Sequence, residues 1–265
     1  MSNSKRGVNG GVAKAGVECL LQIHSEIKKA SREYQLPWPL LTLVDEESLG
    51  YLQNKGGVSF YYQWLALLVR SVRPTLVLEL GSGFGVSAIM ISSELSETAR
   101  LVSCDLARRL PCVPPAVEQD RRVKFYCGND LDLNTFHDDL PVGIDVMFID
   151  TEHTFDQVSA EWRIYRHLCN PGAIIAVDDI KMNDMARFWE SLPYPKLELT
   201  EECHVSGFGV FRYDPGDKPD PLKAYREALR MAWERSRNAE RDKAERATGL
   251  RAVWTGLKRR LSRAT

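Results

Sequence analysis

The 265-residue chain has no apolar run approaching the ~20 residues that span a bilayer, and its start, Met1 to Gly11, is polar and glycine-rich with no apolar signal core. Neither a secreted nor an integral membrane protein is expected. The six cysteines (Cys19, Cys104, Cys112, Cys127, Cys169, Cys203) form no CxxC pair and read as reduced, buried thiols of a cytoplasmic protein. Eighteen glycines and thirteen prolines follow no period, which excludes a collagen-like array. At 44% apolar and 27% charged residues the composition is that of a globular protein and excludes a mainly disordered one.

Net charge is close to absent as well, at −1, but the mean conceals an asymmetry. From Pro221 onward thirteen basic residues face five acidic ones, a balance of +8, so the preceding body carries −9. An acidic body argues against wholesale nucleic-acid binding, and the basic tail needs its own explanation.

What the middle of the chain does have is alternation. Short apolar runs at Thr75 to Leu80, Arg100 to Asp105, Val123 to Cys127, Ile144 to Asp150 and Ala173 to Asp178 are separated by helix-length segments, the pattern of a parallel α/β sheet. Lys196 to Glu201 and Gly209 to Tyr213 follow with a short link, which predicts an antiparallel edge hairpin. Helices are predicted at Ala13 to Tyr34, Phe60 to Val72, Val86 to Ser96 and Phe155 to Cys169, the last stopped by Asn170-Pro171-Gly172. The polar stretch Asp45 to Gly57 is a candidate lid, or else a surface connector. Beyond the linker Pro215 to Pro219, a charged helical tail runs from Leu222 to about Thr248. Then Leu250, Val253, Trp254, Leu257 and Leu261 fall on one helical stripe flanked by Arg251, Lys258, Arg259, Arg260 and Arg263. That basic amphipathic segment, 250–261, suits packing on its own domain, a subunit contact in a homo-oligomer, or an anionic membrane surface.

The sharpest local signal is an apolar strand running into Glu79-Leu80-Gly81-Ser82-Gly83-Phe84-Gly85 and then a helix. Glycines at 81, 83 and 85 make GxGxG, not the GxGxxG that dinucleotide folds place over a pyrophosphate. With the acid at Glu79, this turn suits a cationic amine better than phosphates. Asp105 ends the next strand, where an acid commonly accepts both hydroxyls of a ribose. Cys127-Gly128-Asn129-Asp130 ends the third with groups suited to an adenine edge.

In this order of features the chain resembles the class I S-adenosylmethionine-dependent methyltransferases, over roughly Phe60 to Tyr213. The resemblance implies a Rossmann-like seven-stranded, mostly parallel sheet with helices on both faces and an antiparallel edge hairpin. It also implies a cofactor, S-adenosyl-L-methionine, held by Glu79, Gly81, Ser82, Gly83, Gly85, Asp105, Asn129 and Asp130. The organisation expected is N-terminal helices with a lid over 1–59, a methyltransferase domain over 60–214, and a linker with the basic helical tail over 215–265.

Asp150 ends the fourth strand and is followed by His153, while Asp178 and Asp179 end the fifth. Adjacent strand ends bring such carboxylates together, and grouped carboxylates need a shared proton or a cation such as Mg²⁺. The pattern is similar to metal-dependent O-methyltransferases of catechols and of sugar hydroxyls. By that likeness Asp150, Asp178 and Asp179 are metal ligands, and His153, with Asp150, is catalytic as general base. The acceptor implied is a hydroxyl of a small molecule or sugar. A plain capping role for Asp150, ahead of a helix starting near Thr154, is the alternative. Three rival functions are a nucleic-acid methyltransferase using the tail, an NAD-dependent oxidoreductase and a non-catalytic scaffold. The chain lacks the Asn/Asp-Pro-Pro-Tyr turn and the Pro-Cys pair of base-modifying enzymes, and the glycine spacing disfavours NAD. His204, before the last strand, is a candidate for the acceptor pocket. A cytoplasmic enzyme, peripheral to the membrane if the tail binds there, is the expected location.

Overall fold

The computed structural model describes residues 6–53, 60–107, 109–137, 139–215 and 231. Met231 apart, the charged helical tail lies outside them, as does the amphipathic stripe at 250–261. Among the described residues seven strands form one sheet: β1 (Leu76–Leu80), β2 (Arg100–Asp105), β3 (Val123–Cys127), β4 (Ile144–Ile149), β5 (Cys169–Asp178), β6 (Lys196–Glu198) and β7 (Phe208–Arg212). Their order is β3-β2-β1-β4-β5-β7-β6. The first five run parallel, and β7 is antiparallel to both β5 and β6. This is the sheet the sequence predicts.

Strands buried on both faces read as continuous apolar runs, and alternate side chains feed two cores. On one face Val77, Leu101, Val146, Phe148 and Phe208 pack with helices α1 (Arg6–Ser31), α3 (Tyr61–Val72) and α4 (Val86–Ser92). On the other, Leu78, Val102, Met147, Ile175 and Phe211 meet α6 (Phe155–Tyr165) and α7 (Met185–Ser191).

Several boundaries differ from the sequence reading. Helix α6 stops at Tyr165, because Cys169 already pairs with Ile144 and Asn170-Pro171-Gly172 belongs to the start of β5, beside a register irregularity. The edge hairpin is not tightly linked: β6 ends at Glu198, and the short helix α8 (Thr200–Cys203) intervenes before β7. The stretch beginning at Asp45 is partly helical, α2 (Glu46–Leu52), with Asp45 accepting the Ser48 amide at 2.9 Å; residues 54–59 lie outside the described set. All six cysteines are free, but only four are buried; Cys127 is exposed and Cys19 half-buried. Among the described residues no helix is long and apolar enough to cross a membrane.

Candidate active site

The carboxyl ends of β1, β2, β3 and β4 surround a cavity of about 580 Å³. Its floor is the turn after β1. Gly81 (φ 91°) sits so close to the strand-end backbone that a Cβ would stand 1.7 Å from the Asp150 carbonyl oxygen, so no other residue fits without moving β4. Gly83 (φ 50°) differs: a Cβ there would meet nothing within 4 Å, because the turn opens onto the cavity. Gly85 lies outside the cavity wall and packs towards Val113.

Asp105, at the end of β2, accepts the Gly83 amide at 2.8 Å and the Ala107 amide at 3.1 Å, so the ribose-type acid also braces the glycine turn. Ser82 lines the cavity and shares a 2.5 Å hydroxyl contact with Ser103. Ser103 in turn bonds Glu79. Glu79 is wholly buried and lies beneath the floor, not on its surface; burial pushes its carboxyl up to about 7, against hydrogen bonds from Ser103 and Ser87. Asn129 and Asp130 border the cavity after β3, with the Asn129 carbonyl oxygen Oδ1 fixed by the Leu131 amide at 2.9 Å.

Beside this cavity the predicted acids converge. His153 Nε2 lies 3.0 Å from Asp150 Oδ1 and 3.3 Å from Asp179 Oδ2. His204 Nδ1 lies 2.9 Å from Asp178 Oδ1 and 3.3 Å from Asp179 Oδ1. Asp150, His153 and Asp179 offer ligand atoms all within 4.8 Å of one another, as do Asp178, Asp179 and His204. Asp178 and Asp179 are buried, at 2% and 5% exposure, and Asp179 Oδ1 meets His204 without a well-formed hydrogen bond. Both His153 (φ 55°) and Asp179 (φ 54°) hold left-handed backbone, the kind of strain that surrounding structure must impose.

Charge follows from this packing. Hydrogen bonding to Asp150 raises the His153 imidazole above its usual value against burial. Burial opposes charge on His204, but Asp178 and Asp179 outweigh it and push the imidazole up to about 10. Asp178 is itself raised by burial, with His204 opposing. The helix-capping alternative for Asp150 does not hold: Thr154 is the N-cap of α6, its hydroxyl accepting the Gln157 amide at 3.4 Å.

Some residues at the site have no counterpart in the sequence reading. Tyr62 and Ser48 reach the cavity from α3 and α2, and Thr151, Glu152 and Gln157 from the segment after β4. Tyr61 stacks near His204 with ring centroids 5.1 Å apart. For Gln157 a signal existed: it begins an i, i+4 pair with Glu161, an acid inside the apolar stripe of α6.

A family model for a methyltransferase domain matches residues 78–180, a span that holds the glycine turn and every predicted site acid. No curated protein matches the chain. Among solved structures, a candidate caffeoyl-CoA O-methyltransferase from Staphylococcus aureus is 15% identical with a TM-score of 0.51, over 72% of this chain and 99% of that one. The O-methyltransferase TomG from Streptomyces achromogenes, in complex with S-adenosylmethionine, is 21% identical (TM-score 0.46, 73% and 90% covered). An O-methyltransferase from Bacillus cereus, in complex with S-adenosylhomocysteine, is 19% identical (TM-score 0.45, 72% and 89% covered). Residues 78–180 thus match a methyltransferase-domain model, and the sheet that holds them shares the fold of the Staphylococcus aureus structure.

Proposed function

We propose that the protein transfers the methyl group of S-adenosylmethionine to a hydroxyl oxygen of a small molecule or sugar. The observation that carries this reading is the adjacency of two sites: the glycine-turn cavity, and the Asp150–His153–Asp179 cluster whose first two members also line that cavity. S-adenosylmethionine supplies an electrophilic methyl on a sulfonium. The residues assigned to it are Gly81, Ser82, Gly83, Asp105, Asn129 and Asp130, with Gly85 and Glu79 shaping the turn from behind. Open space over Gly83 and a braced Asp105 fit a ligand lying along the turn.

Aligning donor and acceptor is the main task in such a displacement, because the leaving thioether carries no negative charge. The acceptor must still lose a proton, and hydroxyls hold theirs at neutral pH. His153 receives it on the imidazole whose basicity Asp150 raises. Asp179, with Asp150 in one grouping and Asp178 in the other, would hold Mg²⁺, a cation that supplies positive charge favouring a deprotonated hydroxyl. The buried Asp179 Oδ1, which meets only the longer 3.3 Å approach of His204 Nδ1, fits such an ion. A metal-independent version of the same reaction is supported by the histidines, whose nitrogens already stand against all three carboxylates.

Calorimetric titration of S-adenosylhomocysteine, with and without Mg²⁺, should show binding of the donor product. A mass-spectrometric screen of phenolic and glycosidic acceptors should show a gain of one methyl group that Asp150→Ala abolishes. Absence of product binding removes the methyl-transfer reading. Activity unchanged in Asp150→Ala, or in the presence of a chelator, removes the metal and leaves the metal-independent form.

A further inference from the structure

Behind one end of the cavity sits a buried acid that methyl transfer does not use. Helix α6 turns Val158, Glu161, Trp162 and Tyr165 inward, and Glu161 has no exposure at all. Glu161 Oε1 accepts from Gln157 Nε2 at 2.7 Å, and the same amide nitrogen lies 3.2 Å from Asp130 Oδ1. Asp130 is also almost fully buried, and its backbone carbonyl accepts the Tyr165 hydroxyl at 2.5 Å. The other polar groups facing the pair are the Thr151 hydroxyl, from the turn after β4, and the Cys104 thiol, from β2. Among the described residues no cation contributes to it.

Two carboxyl groups in contact inside a protein do not both ionise, and burial with the nearby Asp130 holds the Glu161 carboxyl well above its usual range. Glu161 therefore holds its proton more tightly than an ordinary carboxyl. The consequence falls on Gln157. With its amide nitrogen drawn to both acids, its carbonyl oxygen is the polar atom it presents to the cavity that it and Asp130 border.

Resting on the reading of this cavity as an adenosyl site, we infer that Gln157 reads the exocyclic amine of the nucleobase and that Glu161 is the positioning residue that orients Gln157. A carbonyl oxygen accepts from an amine but meets a second acceptor when the base carries a keto group instead. The arrangement thus selects adenine over hypoxanthine through Gln157, beside Asp130.

The test is calorimetry on the full chain at neutral pH, without acceptor or added metal, using S-adenosylhomocysteine and S-inosylhomocysteine. Wild type should prefer the adenosyl compound by about tenfold or more, the size of one well-placed buried hydrogen bond. Gln157→Ala should lose most of that preference. Glu161→Gln, which keeps one donor and one acceptor without ionising, should bind as wild type does at neutral pH. Glu161→Ala should bind about tenfold more weakly. An unchanged adenosyl-to-inosyl ratio in Gln157→Ala overturns the inference, as does Glu161→Ala that binds as wild type does. Wild type that binds both compounds equally overturns the inference alone. Wild type that binds neither removes the adenosyl site, and the inference with it.

Discussion

Replacing Glu79 with glutamine tests the electrostatics beneath the glycine turn. Glu79 is wholly enclosed, and burial holds its carboxyl at about 7 against an ordinary 4.5. Between those two values the unfolded chain has released this proton while the folded chain keeps it, so stability falls as pH rises. At ~1.4 kcal/mol per pH unit the interval amounts to ~3 kcal/mol. That contribution is fully present below about 4.5 and gone above about 7. Glutamine cannot ionise, so Glu79→Gln should gain ~3 kcal/mol relative to wild type between those two limits. A constant offset from the altered bond to Ser103 does not affect this slope. Other raised acids, Asp178 among them, act alike in both proteins and cancel in the difference. Urea melts followed by tryptophan fluorescence, in half-unit pH steps and without ligand, give the difference curve. If it stays flat within ~1 kcal/mol, Glu79 is not held protonated by burial and the account of the turn's foundation is wrong.

Gly81→Ala should lower the urea midpoint substantially and abolish S-adenosylhomocysteine binding, since φ of 91° costs ~1–3 kcal/mol and the Asp150 carbonyl oxygen leaves no room for a methyl group; wild-type binding by this variant contradicts the placement of the turn. In metal-free protein, Asp150→Asn should move the NMR titration of His153 to lower pH, because the bond to Asp150 is the largest cause of its raised value; no movement means that Asp179 alone sets it. Asp145→Ala should destabilise the protein by ~1–3 kcal/mol without changing ligand affinity, because Asp145 accepts the Thr75 amide and hydroxyl and an Asn170 amide at the edge of the sheet away from the cavity.

The central parallel strands were legible because both of their faces are buried, so that each is a short apolar run with an acid or glycine at its carboxyl end; edge strand β3, with Lys124 exposed, carried a weaker signal. The same rule located Asp105, Asp150, Asp178 and Asp179, since position at a strand end fixes where a side chain emerges. What the sequence withheld depends on long-range geometry. Extension of β5 back to Cys169 is imposed by pairing with Ile144, and local helix-stop chemistry at Asn170-Pro171-Gly172 gives no hint of it. His204 reaches Asp178 only because β7 lies beside β5 in the opposite direction, with Phe208 opposite Asp178. Tyr62 and Ser48 arrive from helices preceding the sheet, whose docking leaves no mark in their own periodicity. Glu79 has the residue type of a ligand-facing acid, but its side chain points into the interior, and the one-residue alternation of a strand buried on both faces cannot distinguish the two.

The paired imidazoles at the acid cluster also bear on how the protein matures. Three carboxylates gathered at adjoining strand ends would resist closure of the sheet, yet His204, which Asp178 and Asp179 push up to about 10, already stands against two of them as an internal counter-charge. A newly made chain can thus close around its acids before any external ion arrives. An ion loading afterwards would have to compete with those imidazoles, so its uptake would be coupled to the release of protons into the medium.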